Sequence, residues 1–161
     1  MAIEKVREYF KQFDMEERIL EFPVSSATVE LAAEAVGTEP ARIAKTLSFA
    51  KGEDCILVVA AGDAKIDNKK FKETFGMKAK MLDFDAVERL VGHAVGGVCP
   101  FAVPANVEIY LDKSMQRFET VYPAAGSSNS AIELTMTELE KYANAKAWVD
   151  VCKAWQPEEN A

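Results

Sequence analysis

A chain of 161 residues, 49% of them hydrophobic, has enough apolar material for one cored domain and is short for two. Its formal charge of −7 excludes a protein that grips long nucleic acid by neutralising phosphates, so DNA is not an expected partner. No apolar run reaches the roughly 20 residues of a membrane span, the N-terminal residues lack a secretory layout, and Cys55, Cys99 and Cys152 show no C-x-x-C spacing, so a soluble cytoplasmic chain with reduced thiols and no membrane partner is expected.

Apolar side chains at Ile3, Val6, Phe10 and Phe13 recur at helical spacing, which predicts an amphipathic helix over 3–13 lying against the domain. Residues 18–24 read as a short strand running into Pro23. The Ser25-Ser26 pair then caps a helix through Val36, stopped by Gly37. Thr38-Glu39-Pro40 opens another short helix, with Thr38 as cap and Pro40 in its first turn. The runs 44–50 and 55–60 are rich in β-formers and flank Lys51-Gly52-Glu53-Asp54, predicting a hairpin with Lys45 on a strand. Asp67 caps a helix through Phe75 that Gly76 ends, 79–82 is a short strand, and Asp83 caps a helix to Val91. Strands follow at 107–111, 120–122 and 131–134, with a turn of helix or loop over 114–118. Thr135 and Glu138 have capping-box spacing and announce a helix to Ala143, before a last strand at 147–151. Short strands mixed with helices in no strict βαβ rhythm predict an α+β single domain over 1–152, a mixed, strongly curved, barrel-like sheet with surrounding helices. The helix within 1–17 packs on it, and 153–161 is a polar tail.

Chemistry concentrates in few places. Gly92-His93-Ala94-Val95-Gly96-Gly97-Val98-Cys99-Pro100-Phe101-Ala102 is a bare backbone loop stiffened by Pro100, able to aim N–H groups at an ester carbonyl. Lys45, among Ile43, Ala44, Leu47 and Phe49, has two readings. Its ammonium either escapes along its stem to solvent or enters a pocket as a point charge for a phosphate or the ester-linked end of a tRNA. Thr46 and Ser48 are hydrogen-bond candidates and also ordinary strand residues. His93, the single histidine, either supports the loop by packing or serves as a general base without an evident orienting partner. Cys99 invites a Cys/His nucleophile reading that lacks a third residue. No ligand set for a metal is present, and neither a metal nor a cofactor is expected. The small, polar stretch 122–131 is either a pocket wall or a surface turn. Six lysines between 65 and 80 face two acids, a local balance of +4, either a phosphate-facing patch or a solvated helix face. Phosphate-loop, dinucleotide, nucleophile-elbow and zincin motifs are absent.

In order along the chain, Phe22-Pro23, Ile43-Ala44-Lys45-Thr46-Leu47, Gly62-Asp63-Ala64-Lys65-Ile66-Asp67, Gly96-Gly97-Val98-Cys99-Pro100 and Ala125-Gly126 resemble the YbaK, prolyl-tRNA-synthetase-associated family of aminoacyl-tRNA deacylases, over roughly residues 20–152. The resemblance implies a free-standing relative of the editing insertion of bacterial prolyl-tRNA synthetases. Such a protein acts in trans on the ester of a mischarged tRNA, here a proline-type tRNA or one carrying a related small amino acid. Lys45 matches the family lysine and holds the terminal nucleotide. Gly96, Gly97, Val98, Cys99 and Pro100 match its glycine-proline loop, whose amides bind the ester carbonyl while a substrate hydroxyl or a water attacks. Phe22, Thr46, His93, Gly126, Ser127 and Ala131 become the expected substrate-binding residues, and Lys65, Lys69, Lys70 and Lys72 the tRNA-facing patch. The implied partners are the acceptor end of mischarged aminoacyl-tRNA and an aminoacyl-tRNA synthetase. Ala131 stands where the cysteinyl branch usually carries an aspartate, leaving alanyl, seryl, threonyl and non-protein amino acids open. The alternative is a module that binds an aminoacylated end, or docks on a synthetase, without hydrolysis.

Overall fold

The computed structural model describes residues 2–93 and 97–155. Helix α1 (Ala2–Lys11) buries Val6 and Phe10 completely. It stops short of the expected Phe13 because the Phe13 N–H turns back to the Phe10 carbonyl and Asp14 adopts a left-handed φ of 57°. The ring of Phe13 still packs on Tyr142, with centroids 4.8 Å apart. A 3-10 turn leads into β1 (Ile19–Glu21), shorter than expected because Phe22 and Ser26 donate their N–H groups to the loop carbonyls of Asn129 and Ser128. Helix α2 (Val29–Val36) is capped by Thr28, whose hydroxyl accepts from the Leu31 N–H. The Ser25-Ser26 pair expected there turns its hydroxyls to the Ser128 carbonyl instead. Thr38 likewise caps nothing. Its N–H closes α2 on Ala33, and the 3-10 turn Pro40–Arg42 starts from Glu39.

The hairpin forms as expected from β2 (Ile43–Lys51) and β3 (Asp54–Ala61). Next come β4 (Lys65–Ile66), α3 (Asn68–Phe75) and α4 (Phe84–Val91). Asp67 and Asp83 cap these helices, and the left-handed Gly76 and Gly92 end them. Residues 79–82 make only one bridge, Met81 to Phe49, rather than a strand. The remaining elements are β5 (Glu108–Asp112), β6 (Thr120–Pro123), β7 (Ser130–Ile132), β8 (Leu134–Thr135), α5 (Met136–Tyr142), β9 (Ala147–Val149) and β10 (Cys152–Lys153). The expected strand 131–134 divides at Glu133, whose carboxylate is drawn to the hydroxyls of Thr120 and Tyr122. The expected strand 147–151 stops at Val149 because the Val151 N–H is taken by the buried carboxylate of Asp112. Both limbs of the Thr135–Glu138 capping box form.

Six strands make one mixed, curled sheet in the order β8-β6-β2-β3-β5-β9, so the fold is α+β. β3 lies in its interior, and residues 55–61 are almost wholly buried, as an unbroken apolar run requires. Beyond β6 the curl continues through an Ala124–Ala131 bridge to the antiparallel pair β1–β7, while β4 and β10 form a second small pair. Among the described residues no helix is long and apolar enough to cross a membrane.

After β3 the chain passes beneath α2. A Cβ at Gly62 would collide with the Pro40 carbonyl oxygen and lie 2.7 Å from Val29 Cγ1, so only glycine fits. Gly62→Ala is expected to cost about 1–3 kcal/mol. Urea denaturation checks this, as a lower midpoint with an unchanged slope.

Candidate active site

Strand alternation puts Ala44, Thr46 and Ser48 on one pleat of β2, and these three help line a cavity of about 230 Å³. Segment 26–29 and Ala32 of α2 form another wall, Met81 and the start of α4 a third, and Tyr122, Ala124, Ser130 and Ala131 the fourth. Most of these side chains are small or apolar, and the few polar groups stand out. The Thr46 hydroxyl is buried and has no partner among the described residues. Leaving such a group unsatisfied costs about 1–3 kcal/mol, recovered only when something enters to bond it.

Lys45 also lines the cavity, and its Nζ donates to the carbonyls of Gly62, at 3.4 Å, and Ala64. Burial lowers its pKa from the ordinary lysine value, with the nearby Asp63 and Glu30 opposing the shift. Asp63 is itself fixed by Arg117, 2.6 Å away. The motif Gly62-Asp63-Ala64 thus acts as a backbone cradle for the ammonium.

The two glycine-bearing loops meet. A Cβ on Gly97 would lie 2.8 Å from Ser127 Cα, so main chain packs directly on main chain. Val98 reaches the cavity, while Cys99 and Pro100 are buried. No described residue accepts a hydrogen bond from the N–H of Gly97, Val98 or Cys99. Gly96 lies outside the described residues.

His93 and Cys99 touch, with Nε2 and Sγ 3.5 Å apart, yet neither lines the cavity and both are fully buried. Nε2 is 2.8 Å from the Phe101 carbonyl, an obligate acceptor, so the ring proton sits on Nε2 and that nitrogen has no lone pair for the thiol. Burial pushes the Cys99 thiol up to about 12. A thiolate nucleophile is therefore not available here, and Cys99 can serve the loop only through its main chain.

Lys45, Thr46, Val98 and Ala131 share the cavity. Of the other expected residues, Ser127 stands behind it, its hydroxyl 2.7 Å from that of Ser130. Gly126 takes the left-handed conformation, and Phe22 is tied to Asn129 through its carbonyl. None of the four patch lysines lines the cavity. Lys65 on β4 and Lys69 and Lys72 on α3 are exposed, whereas Lys70 is drawn onto Asp150, at 3.1 Å, and the Cys152 carbonyl. Tyr122 and Ser130 are not among the expected substrate-binding residues, but both line the cavity and both belong to the stretch 122–131 whose alternatives are a pocket wall and a surface turn. Tyr122 is held rigidly, its hydroxyl donating to Glu133 and its ring stacked under Arg42 at 5.2 Å.

A model of the aminoacyl-tRNA editing domain matches residues 24–142, which contain the whole cavity. The chain belongs to the aminoacyl-tRNA editing domain family. This editing domain is 54% identical to the uncharacterized protein YwhH of Bacillus subtilis, over 97% of this chain and 100% of that one. It is 31% identical to the prolyl-tRNA editing protein ProX of Acetoanaerobium sticklandii, over 62% and 63% of the two chains. A crystal structure described as that of a candidate trans-editing enzyme for prolyl-tRNA synthetase superposes with a TM-score of 0.84 at 25% identity, covering 94% of this chain and 97% of the other.

Burial lowers the His93 pKa, so the fold keeps it neutral while the unfolded chain protonates it near 6.5. Stability is thus full above that pH and falls as pH drops through it, by at most about 1.4 kcal/mol per unit. Urea titrations at pH 7.5 and 5.5 should show this loss in the wild type and a flatter response in His93→Gln.

Proposed function

We propose that this editing domain is a trans-acting aminoacyl-tRNA deacylase of the cytoplasm. Its substrate is the ester joining a small amino acid to the acceptor end of a proline-type tRNA, and it works beside the synthetase that makes the error. The observation that supports the reading is a half-buried lysine and, at the same small-residue cavity, Val98, from whose N–H no described residue accepts a hydrogen bond. The names of ProX and of the trans-editing structural neighbour support the same substrate class.

In this reaction a water attacks the ester carbonyl carbon, since attack by the neighbouring hydroxyl of the terminal ribose would only move the acyl group along the sugar. The bond between the carbonyl carbon and the ribose oxygen breaks, the ribose oxygen leaves with a proton taken from the attacking water, and the amino acid is released as a carboxylate. Charge that grows on the carbonyl oxygen is met by N–H groups of the Gly96 to Pro100 loop, each worth roughly 3–4 kcal/mol in the transition state. Lys45 holds the sugar-phosphate of the terminal nucleotide as a point charge. Thr46 offers its free hydroxyl to the amino acid, whose size is limited by Ala44, Ala124 and Ala131. Lys65, Lys69 and Lys72 are the cations left for the acceptor stem, since Lys70 is engaged.

A panel of tRNAs mischarged with alanine, serine, threonine and cysteine tests the reading. The wild type should shorten the life of at least one ester, and Lys45→Ala should lower kcat/KM about a hundredfold. Survival of every ester at its buffer rate would overturn it, and tight binding without hydrolysis would make the protein a recognition module. Thr46→Val is expected to move two observables in opposite directions. Thermal stability should rise by about 1 kcal/mol as an unsatisfied hydroxyl disappears, and turnover should fall.

A further inference from the structure

We propose that Phe84, with Met81 beside it, is the platform on which the terminal nucleobase of the acceptor end stacks while the aminoacyl group occupies the cavity. The proposal rests on the deacylase reading. Phe84 is 75% exposed and Met81 58% exposed, yet both line the cavity, so they form its rim.

The fold has no use for an aromatic ring at position 84. It is the first residue of α4, a helix whose start is secured by the Asp83 carboxylate accepting from the Ala86 N–H at 2.8 Å. The buried face of that helix is made by Val87 and Val91.

Covalent connectivity says what must lie on this rim. An amino acid esterified to a ribose carries the base of the same nucleotide with it, one sugar away. When the acyl group fills the cavity, the base comes to rest at the mouth. A nucleobase has two apolar faces, and an aromatic ring is the side chain that stacks on them without regard to sequence. A methionine thioether is a polarisable neighbour for the same ring.

Charge narrows the fit further. Asp83, Asp85 and Glu88 neighbour Phe84 along the chain, and Phe84 lines one shallow depression with Asp85, Glu88 and Arg89. A phosphate is repelled there. The uncharged base is the part of the nucleotide that this surface accepts, which leaves the backbone to the Lys45 side.

The test uses an acceptor-stem minihelix whose terminal adenine is replaced by 2-aminopurine and whose amino acid is joined by a stable amide, next to the ester-linked substrate. Wild-type protein should quench the 2-aminopurine emission. Phe84→Ala should lose the quenching and raise KM about tenfold with little change in kcat, while Phe84→Trp should retain both wild-type properties. The position is exposed, so an unchanged melting temperature verifies that the variants fold. Quenching and KM unaltered in Phe84→Ala, with the wild type hydrolysing its ester, would overturn the platform and leave the deacylase standing. Quenching that depends on Phe84 without any wild-type hydrolysis would keep the platform and remove the deacylase. Concentration-dependent dimers in sedimentation that vanish in Phe84→Ala, with KM unmoved, would assign the rim to a second copy of the chain and overturn the proposal.

Discussion

Eight paired positions, from Ala44 opposite Ala61 to Lys51 opposite Asp54, set the register of β2 on β3, and the walls of the cavity hang from that register. Because Lys45 lies opposite Ala60, the chain leaving β3 turns within reach of its ammonium and presents the Gly62 and Ala64 carbonyls to it. A slip of one residue would exchange the faces of the whole strand, sending Thr46 and Ser48 away from the cavity and Phe49 into it. Gly62 completes the arrangement by letting the turn slide under the Pro40 carbonyl, close enough to α2 to shut one side of the pocket.

The polarity of the site comes from dipoles and one cation. Its titratable neighbours have been put out of reach: His93 gives its proton to the Phe101 carbonyl, and Cys99 is buried with its thiol intact. That pair shapes the loop from behind, while Val98 faces the cavity. Groups that hold fixed dipoles in a dry pocket stabilise developing charge without reorganising, and this suits an ester that is already labile. The arrangement has a cost in the empty protein. A desolvated lysine and a threonine hydroxyl without a partner among the described residues are both destabilising.

Features carried by strong local chemistry were legible in the sequence. Asp67, Asp83 and the Thr135–Glu138 box cap where expected, and the hairpin with Lys45 on its first strand forms, because each depends on neighbours a few positions apart. Failures came where a distant partner decides. Ser25 and Ser26 are good caps in isolation, but the Ser128 carbonyl captures them and Thr28 takes over. Glu133 divides the expected strand 131–134 because hydroxyls on β6 pull its carboxylate aside. The two-residue strands β4 and β10 are made by pairing with each other across the chain, with no periodicity long enough to announce them. In the cavity, Lys45, Thr46, Val98 and Ala131 could be named from their segments. Met81 and Phe84 could not, since an exposed apolar residue at a helix start looks like any other until the curl of the sheet brings it to a rim.

An acidic protein that works on the end of a tRNA cannot rely on long-range attraction. With a net charge of −7, repulsion from the phosphate backbone opposes encounter, although the cluster around Lys65 to Lys72 locally reverses the sign. Affinity then has to come from short-range contacts at one nucleotide and its amino acid. Those contacts differ between a correct and a wrong amino acid, whereas backbone attraction would be the same for both. Uniform attraction would lengthen the stay of every charged tRNA without improving discrimination, because selectivity depends on the difference in transition-state binding alone. A weakly attractive surface around a narrow, small-residue pocket therefore puts the available binding energy where the distinction is made.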